Sequence, residues 1–470
     1  MEVTIIGGGF AGLVAATRLA GEGHHVTVIE ARAHLGGRSF PSGDGGEPAP
    51  RLLFGYFRAT RAFLERIGTA GKLHMGPGLA LGFIDRRGGK RKERLLHDGP
   101  SALGKLGRLG AVAAFSGLSL VERALALRVL TALRAPNRLA PAPGERQTVE
   151  EWLDALGQPR GARESLWYPL ALATLQDQPR SASARMFAAA LSALLLGDAA
   201  DAAIVASSVD AQQLYVDDAR RILDGARARI ELGHSARQIH VRAIGDRLVL
   251  AGVELDDGRV IAGDAVIAAL PASATLALLP EAVRARESYF SQLARLRTAP
   301  ATTVRLRVDR PLTVSTPALA LLGSPFHWLF TRAAGDGTDA WLQSWGDREL
   351  VAKDEAALVA LAERELHAIL PDAAGARVLS SRVVREPDAL VAHPAGADND
   401  RPRTRTPVEG LFLAGDYVRT GLPANLESAA RSAEEAAGFA LEFEPPPPPP
   451  TPQGFVPLGR LTKRTPASSN

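Results

Sequence analysis

The chain has 470 residues, 46% of them hydrophobic and 23% charged, with a formal charge of +4. That length exceeds one ordinary core, the composition is that of a globular protein, and the near-balanced charge makes no demand for nucleic acid. Zero cysteines exclude disulfides, thiolate catalysis and thiolate metal sites, and no metal site is expected.

The first thirty residues read as strand, glycine turn, helix and strand. Val3–Ile6 and Val26–Ile29 are β-branched and mostly apolar, and the segment between them is helical in pattern. Gly7, Gly9 and Gly12 give the G-x-G-x-x-G spacing, with Phe10 and Ala11 opening the helix. Gly7 permits the tight turn, Gly9 lets a pyrophosphate approach the backbone, and Gly12 lets helix and sheet pack closely. The helix N-terminus offers free N–H groups to phosphates. Glu30, followed by Ala31, closes the second strand and is placed to accept hydrogen bonds from ribose hydroxyls. A glycine turn alone is weak evidence. Here strands, helix and acid occur in order, so a bound dinucleotide is expected. The first strand starts at residue 2 without a basic leader, so no secretory signal is expected and the expected location is the cytoplasm. No charge-free run of about 18 apolar residues suggests a membrane span.

Leu35-Gly36-Gly37-Arg38 reads as a second phosphate-contacting turn, with Arg38 able to fork onto a pyrophosphate. Pro41–Pro50 is loop-like and 52–67 has helical spacing. Residues 101–135 mix leucines and valines with Lys105, Arg108, Arg123, Arg128 and Arg134. That pattern suits a helix lying at a membrane face, or equally an amphipathic helix pair covering a core. Thr148 with Glu151 forms a capping-box pattern. Segments 167–175 and 186–196 read as buried helices that line a pocket or fill a core.

Asp256-Asp257-Gly258 marks a hairpin between 248–255 and 260–262. Residues 265–269 suit a buried parallel strand, while 300–308 and 326–346 alternate like strands of a second sheet. Residues 356–370 form an amphipathic helix pattern. Near the C-terminus, Gly410–Ala414 is a buried strand ending in Gly415-Asp416, and a helix begins after Pro423-Ala424-Asn425-Leu426. This is a second strand, turn and helix N-terminus suited to an anion or dipole. Six prolines, Pro445–Pro450, and a polar tail close the chain and are expected to be extended or disordered.

Taken together, these pieces resemble the flavin-dependent amine oxidase and phytoene desaturase superfamily over nearly the whole chain to about residue 440. The resemblance implies an α/β fold, a Rossmann-like FAD-binding domain of the glutathione-reductase type interleaved with an α+β substrate domain. The FAD-binding domain is expected in 1–85, 205–285 and 400–440, the substrate domain in 86–204 and 286–399, and a tail in 441–470. The cofactor implied is FAD, held without a sulfur link. Asp416 would bind its ribityl or pyrophosphate part. The backbone of Pro423, Ala424, Asn425 and Leu426 would touch the isoalloxazine, with the helix stabilising negative charge at N1 and O2. Gly37 and Arg38 would contact the pyrophosphate, and Ala236 stands where the adenine is bracketed.

Several stretches are similar to the squalene-associated branch, the bacterial hydroxysqualene dehydroxylases. They are 55–60, 166–175 with Ser183-Ala184-Arg185, 324–330, 401–406 and 420–427. The implied activity replaces the hydroxyl of a long polyprenyl alcohol with hydride from reduced flavin. Where that branch carries a histidine-bearing loop, this chain has Glu47-Pro48-Ala49-Pro50-Arg51. Hydroxide leaves poorly, so a general acid is required, and arginine is always protonated. Glu47, His327 and Glu427 are the candidate acids, Arg51 stands in the histidine's place, and Phe326 and Trp328 are candidates to stabilise a cation or line a tunnel.

A polyene desaturase or an amine oxidase would share the fold. The latter usually carries a lysine by the flavin, and Lys353 lies in a charged helix start. A non-catalytic flavin-binding lipid carrier is an answer of another class. Expected partners are a hydrophobic isoprenoid, an external electron donor, since only one dinucleotide fingerprint is present, and a peripheral membrane contact.

Overall fold

The computed structural model describes residues 1–40, 50, 52–88, 90–97, 110–316 and 318–445. Its first sheet is parallel throughout. Strand β1 (Glu2–Ile6) lies between β2 (His25–Glu30) and Ala265–Ala268, with Leu411–Leu413 at one edge and Arg229–Leu232 at the other. Strands buried on both faces must be apolar along their length, and Val3, Ile5 and Ile6 are all buried.

Helix α1 (Phe10–Gly21) and the last helix, Leu426–Leu441, share one face of this sheet and meet largely through small residues: Ala11, Ala15 and Ala16 share a core with Ala430, Ala433 and Ala437. The other face packs Ile6, Ile29 and Val266 against the hairpin Ala236–Ile244 and Arg247–Leu255. The expected turn at 256–258 is present, with Gly258 at φ +83° and Val253 opposite Ile261. The chain's N- and C-terminal parts therefore build one core.

The second sheet has seven strands in the order Val378–Val391, Thr298–Val308, Gly337–Trp345, Trp328–Ala334, Ala318–Leu322, Ala80–Asp85, Lys92–His97. Period-2 alternation divides its side chains. Val304, Leu306 and Leu342 pack with Leu358 and Leu366 of the helix Glu355–Ile369. Residues of the opposite face, Trp328, Phe330, Trp341 and Trp345, join a core built with the helices Tyr168–Leu175 and Ala184–Leu196. Helix Val149–Ala155 has the expected capping box, with Thr148 Oγ1 accepting from the Glu151 N–H at 3.2 Å.

One expected helix is shorter than its pattern. Segment 52–67 divides into a strand, Leu53–Phe54, and a helix, Arg58–Arg66. Leu53–Phe54 pairs instead with Ile204–Val205, and the junction needs glycine at 55, because a Cβ there would lie 1.6 Å from the Ala200 carbonyl oxygen. In the stretch 101–135, residues 101–109 lie outside the described residues. The remainder contains the helix Leu120–Arg134, capped by Ser119 and Glu122.

Candidate active site

A cavity of about 360 Å³ runs from the N-terminal glycine turn to the face of the seven-stranded sheet. At its first end lie Gly7, Gly9, Phe10, Ala11 and Glu30. Glu30 is 8% exposed, and its carboxylate accepts from the N–H of Gly8 at 2.8 Å and of Arg32 at 2.9 Å. It thus fixes the glycine turn while facing the cavity.

The glycines have separate reasons. Gly7 has φ +105°, and a Cβ on Gly12 would lie 1.9 Å from the Gly7 carbonyl oxygen. Gly9 has an ordinary φ of −77°, and a Cβ there would meet only the Gly37 Cα, at 3.7 Å. The protein's own packing does not need glycine at 9. The room that its absent side chain leaves opens on the cavity, as a pyrophosphate in close backbone contact requires.

The second turn docks on the first. Gly36 N–H donates to the Gly8 carbonyl at 2.8 Å, and Gly37, at φ +54°, lies over Gly9. Arg38 lines the cavity, half-exposed, and pairs with the Asp416 carboxylate at 2.8 Å. Asp416 beside it raises the Arg38 pKa. The two turns expected to grip one ligand are therefore joined across the cavity.

At the end expected to hold the ring, Gly415, Asp416, Ala424, Asn425, Leu426 and Ala429 line the cavity. Asn425 caps the last helix by accepting from Ser428 N–H at 2.9 Å, which leaves the earlier N–H groups of this helix end for an acceptor. One expected donor is already engaged: Ala424 N–H donates to His393 Nε2 at 2.7 Å. Pro423 is buried outside the lining, and its carbonyl accepts from Ser428 Oγ at 2.7 Å, shaping the turn.

The remaining walls belong to the substrate side. The sheet contributes Ala301, Thr303, Phe330, Gln343, Trp345, Val384 and Glu386. Ala173, Thr174 and Gln176 come from the end of the helix Tyr168–Leu175, and Leu53, Phe54, Tyr56 and Phe57 from the segment leading into the helix Arg58–Arg66. Gln343 Nε2 donates to Thr303 Oγ1 at 3.1 Å. Gln176 holds φ +54°, a conformation uncommon for a non-glycine residue and often found where function fixes it. Beside Glu386, the pairing of Val378–Val391 with Thr298–Val308 shifts between Ala299 and Ala301. Such a bulge re-aims side chains near sites.

Three kinds of expected residue fall elsewhere. Glu427 is fully buried away from the cavity lining. Its carboxylate accepts from Ala59 N–H at 3.1 Å, Thr60 N–H at 3.0 Å and Arg431 Nε at 2.8 Å. It caps the helix Arg58–Arg66 and is no acid at the site. His327 is also outside the lining: its Nδ1 accepts from Trp345 N–H at 3.1 Å, and burial pushes its pKa down to about 4, so it is neutral at pH 7. Phe326 and Trp328 are buried in the two cores flanking the sheet, and the aromatic residues that this sheet gives to the lining are Phe330 and Trp345 instead.

Ala236, expected at the adenine, packs into the core beneath β2 and does not line the cavity; Gly12 and Ala31 also lie outside the lining. Glu47 and Arg51 lie outside the described residues. Lys353 is exposed and away from the cavity. Thr303, Gln343, Phe330 and Glu386 were not singled out from sequence. Alternation shows which strand residues share a face but not which face borders a cavity.

The match to known proteins agrees with this geometry. The family model for flavin containing amine oxidoreductase matches residues 10–439. A zeta-carotene desaturase from Synechocystis sp. is 24% identical over 93% of this chain and 96% of its own length. A carotenoid phi-ring synthase from Streptomyces griseus is 28% identical over 94% of this chain and 87% of its own. A crystal structure of an oxidoreductase from Methanosarcina mazei shares the fold, with a TM-score of 0.71 at 18% identity over 93% of this chain and 100% of that one. The α/β fold of the present chain has the Rossmann-like FAD-binding form, FAD is its cofactor, and it belongs to the flavin containing amine oxidoreductase family.

Proposed function

We propose that this flavin-dependent oxidoreductase exchanges hydride between FAD and a long isoprenoid chain. The observation that carries the reading is the single cavity, which joins the two dinucleotide-binding turns to walls of Phe330, Trp345, Leu390, Ala173, Leu53 and Phe54. FAD, when bound, supplies the hydride chemistry. Glu30, the Gly9 and Gly37 backbones and the Arg38–Asp416 pair bind and orient it. The aromatic and aliphatic walls hold an apolar chain against it and exclude water.

Two directions of transfer compete. The carotenoid enzymes among the relatives support desaturation, in which a hydrocarbon loses hydride to oxidised flavin and a proton to a base. Reductive dehydroxylation of hydroxysqualene to squalene and water rests on the local sequence resemblance. It is also favoured by the polar group on the cavity floor, Thr303, Gln343 and Glu386, which suits a substrate hydroxyl better than a bare hydrocarbon. That direction needs an external electron donor.

Anaerobic single turnovers separate these cases. Bleaching of oxidised flavin by a polyene, with a newly conjugated product, supports desaturation. Reoxidation of reduced flavin by hydroxysqualene, with squalene formed, supports dehydroxylation. If neither lipid alters the flavin, the isoprenoid oxidoreductase reading is wrong. Unchanged flavin with a co-purifying lipid would then favour the carrier.

We also propose a peripheral contact with an anionic membrane surface. Among the described residues no helix is long and apolar enough to cross a membrane. Helix Leu120–Arg134 and the turn after it expose Leu120 (80%), Val121 (69%) and Leu139 (77%), with Arg128, Arg134 and Arg138 also exposed. Apolar side chains interspersed with arginine bind such surfaces.

A further inference from the structure

Behind the ring-end turn lies a buried polar cluster that none of the chemistry above uses. It comes from the segment 393–401, which leads from the last strand of the seven-stranded sheet back into the FAD-binding half. Arg401 is 3% exposed. Its Nε donates to the Tyr417 carbonyl at 3.2 Å, its Nη2 to those of Asp416 and Val418 at 2.8 Å each, and its Nη1 to that of Leu422. One guanidinium thus gathers four carbonyls of the turn that carries Asp416 and leads to Ala424.

His393, 2% exposed, holds the end of that turn by accepting from the Ala424 N–H. The same segment is tied to the substrate side: Ser183 N–H donates to the His393 carbonyl at 2.7 Å, and Ser183 Oγ to Asp398 at 2.8 Å. Ser183 caps the helix Ala184–Leu196.

The charge balance of the cluster is unusual. Burial pushes the Arg401 pKa down to about 10, so it stays cationic at pH 7, and it pushes the Asp398 carboxyl up. One Asp398 oxygen and His393 Nδ1 are buried without a hydrogen-bond partner. The Asp416 carboxylate is engaged by Arg38. The Arg401 cation therefore sits close under the turn against which a flavin ring would rest, with the Asp398 and Asp416 carboxylates that face it offset by the Arg38 and Arg419 guanidiniums, in surroundings where charges interact strongly.

We propose that Arg401 is a positioning residue that fixes the ring-end turn and, through its buried charge, raises the reduction potential of the bound FAD. The cation favours the negative charge that reduction brings to the ring, as preorganised donors do elsewhere. Asp398 opposes it. The inference rests on FAD binding alone and not on the identity of the substrate.

The test is anaerobic equilibration of the FAD-loaded protein with a reference dye at pH 8. Arg401→Met should lower the ratio of reduced to oxidised flavin at a fixed ambient potential on the order of tenfold. Arg401→Lys, which keeps the charge but not the fork, should bind FAD less well and hold the ratio near the parent value. Asp398→Asn, nearly isosteric, should raise the ratio. Equal shifts in the Met and Lys variants, or no shift in Arg401→Met with FAD bound, would overturn the proposal. If Arg401→Met does not retain FAD, the sign of the Asp398→Asn shift decides: a raised ratio supports the proposal, and an unchanged or lowered one refutes it.

Discussion

Gly9→Ala separates what the fold requires from what the cofactor requires. Gly9 has φ −77° and ψ −174°, which alanine adopts without strain. The added Cβ would find only the Gly37 Cα at 3.7 Å, an ordinary contact. The unfolded chain loses freedom when glycine becomes alanine, so the ligand-free protein should keep its stability within about 1 kcal/mol. The same methyl stands where a pyrophosphate must approach the backbone. Losing one charge-assisted hydrogen bond costs about 1.5–3 kcal/mol, so FAD should bind roughly 10- to 150-fold more weakly. The assays are thermal unfolding of the flavin-free protein and FAD titration followed by flavin fluorescence. Gly12→Ala is the contrast, because its Cβ at 1.9 Å from the Gly7 oxygen should damage the fold itself. A Gly9→Ala protein that binds FAD like the parent would refute the placement of the pyrophosphate.

Other consequences follow from the same contacts. Glu427→Gln keeps an acceptor for only one of the Ala59 and Thr60 N–H groups, which pair with different carboxylate oxygens, and should cost about 1–3 kcal/mol with turnover retained, whereas Glu427→Ala should cost about 3–5 kcal/mol; a folded, flavin-loaded Glu427→Gln without turnover would restore Glu427 as the acid. His393 is held neutral by burial, its pKa lowered to about 3 from the 6.5 it has when unfolded. Its folded-state contribution is therefore complete above about pH 6.5 and is lost as the pH falls toward 3, reaching about 2 kcal/mol at pH 5. Denaturant unfolding at pH 7 and pH 5 should show a smaller acid loss in His393→Asn than in the parent, and equal losses would count against the buried neutral imidazole. Replacing Leu120, Val121 and Leu139 together by serine should abolish flotation with vesicles containing anionic lipid; undiminished flotation would remove this surface from the membrane proposal.

Much of the cofactor half was legible because its signals are local. Strand, turn and helix succeed one another within thirty residues at Gly7–Glu30 and again at Gly415–Leu426, and each turn's geometry follows from its own glycines. The apolar run 265–269 likewise suited a buried parallel strand, and it pairs in parallel with Glu2–Ile6 and Leu411–Leu413. The substrate side was less legible because its chemistry depends on long-range pairing. Glu427 looked like an acid beside a motif, yet its partners Ala59 and Thr60 lie more than 360 positions away in the chain. His327 was picked for its neighbours in sequence, while the strand across from it supplies the N–H that occupies its ring. The cavity floor of Thr303, Gln343 and Glu386 joins three strands whose alternation marks a shared face, but only the packing of the helix Glu355–Ile369 on the opposite face leaves this one for the cavity. Arg401 carried no mark of its role, since its partners are backbone carbonyls that sequence does not distinguish.

One FAD should span the cavity, adenine end at the first residues and ring end at the last helix, with its ring facing the seven-stranded sheet. A crystal structure of the FAD-loaded protein tests it most directly. Ribose hydroxyls are expected at Glu30, pyrophosphate against the Gly9 and Gly37 backbones, and the isoalloxazine between the Ala424–Leu426 turn and the Phe330, Gln343 and Trp345 face. A ring lying outside that cleft, or FAD bound in the reverse direction, would contradict it.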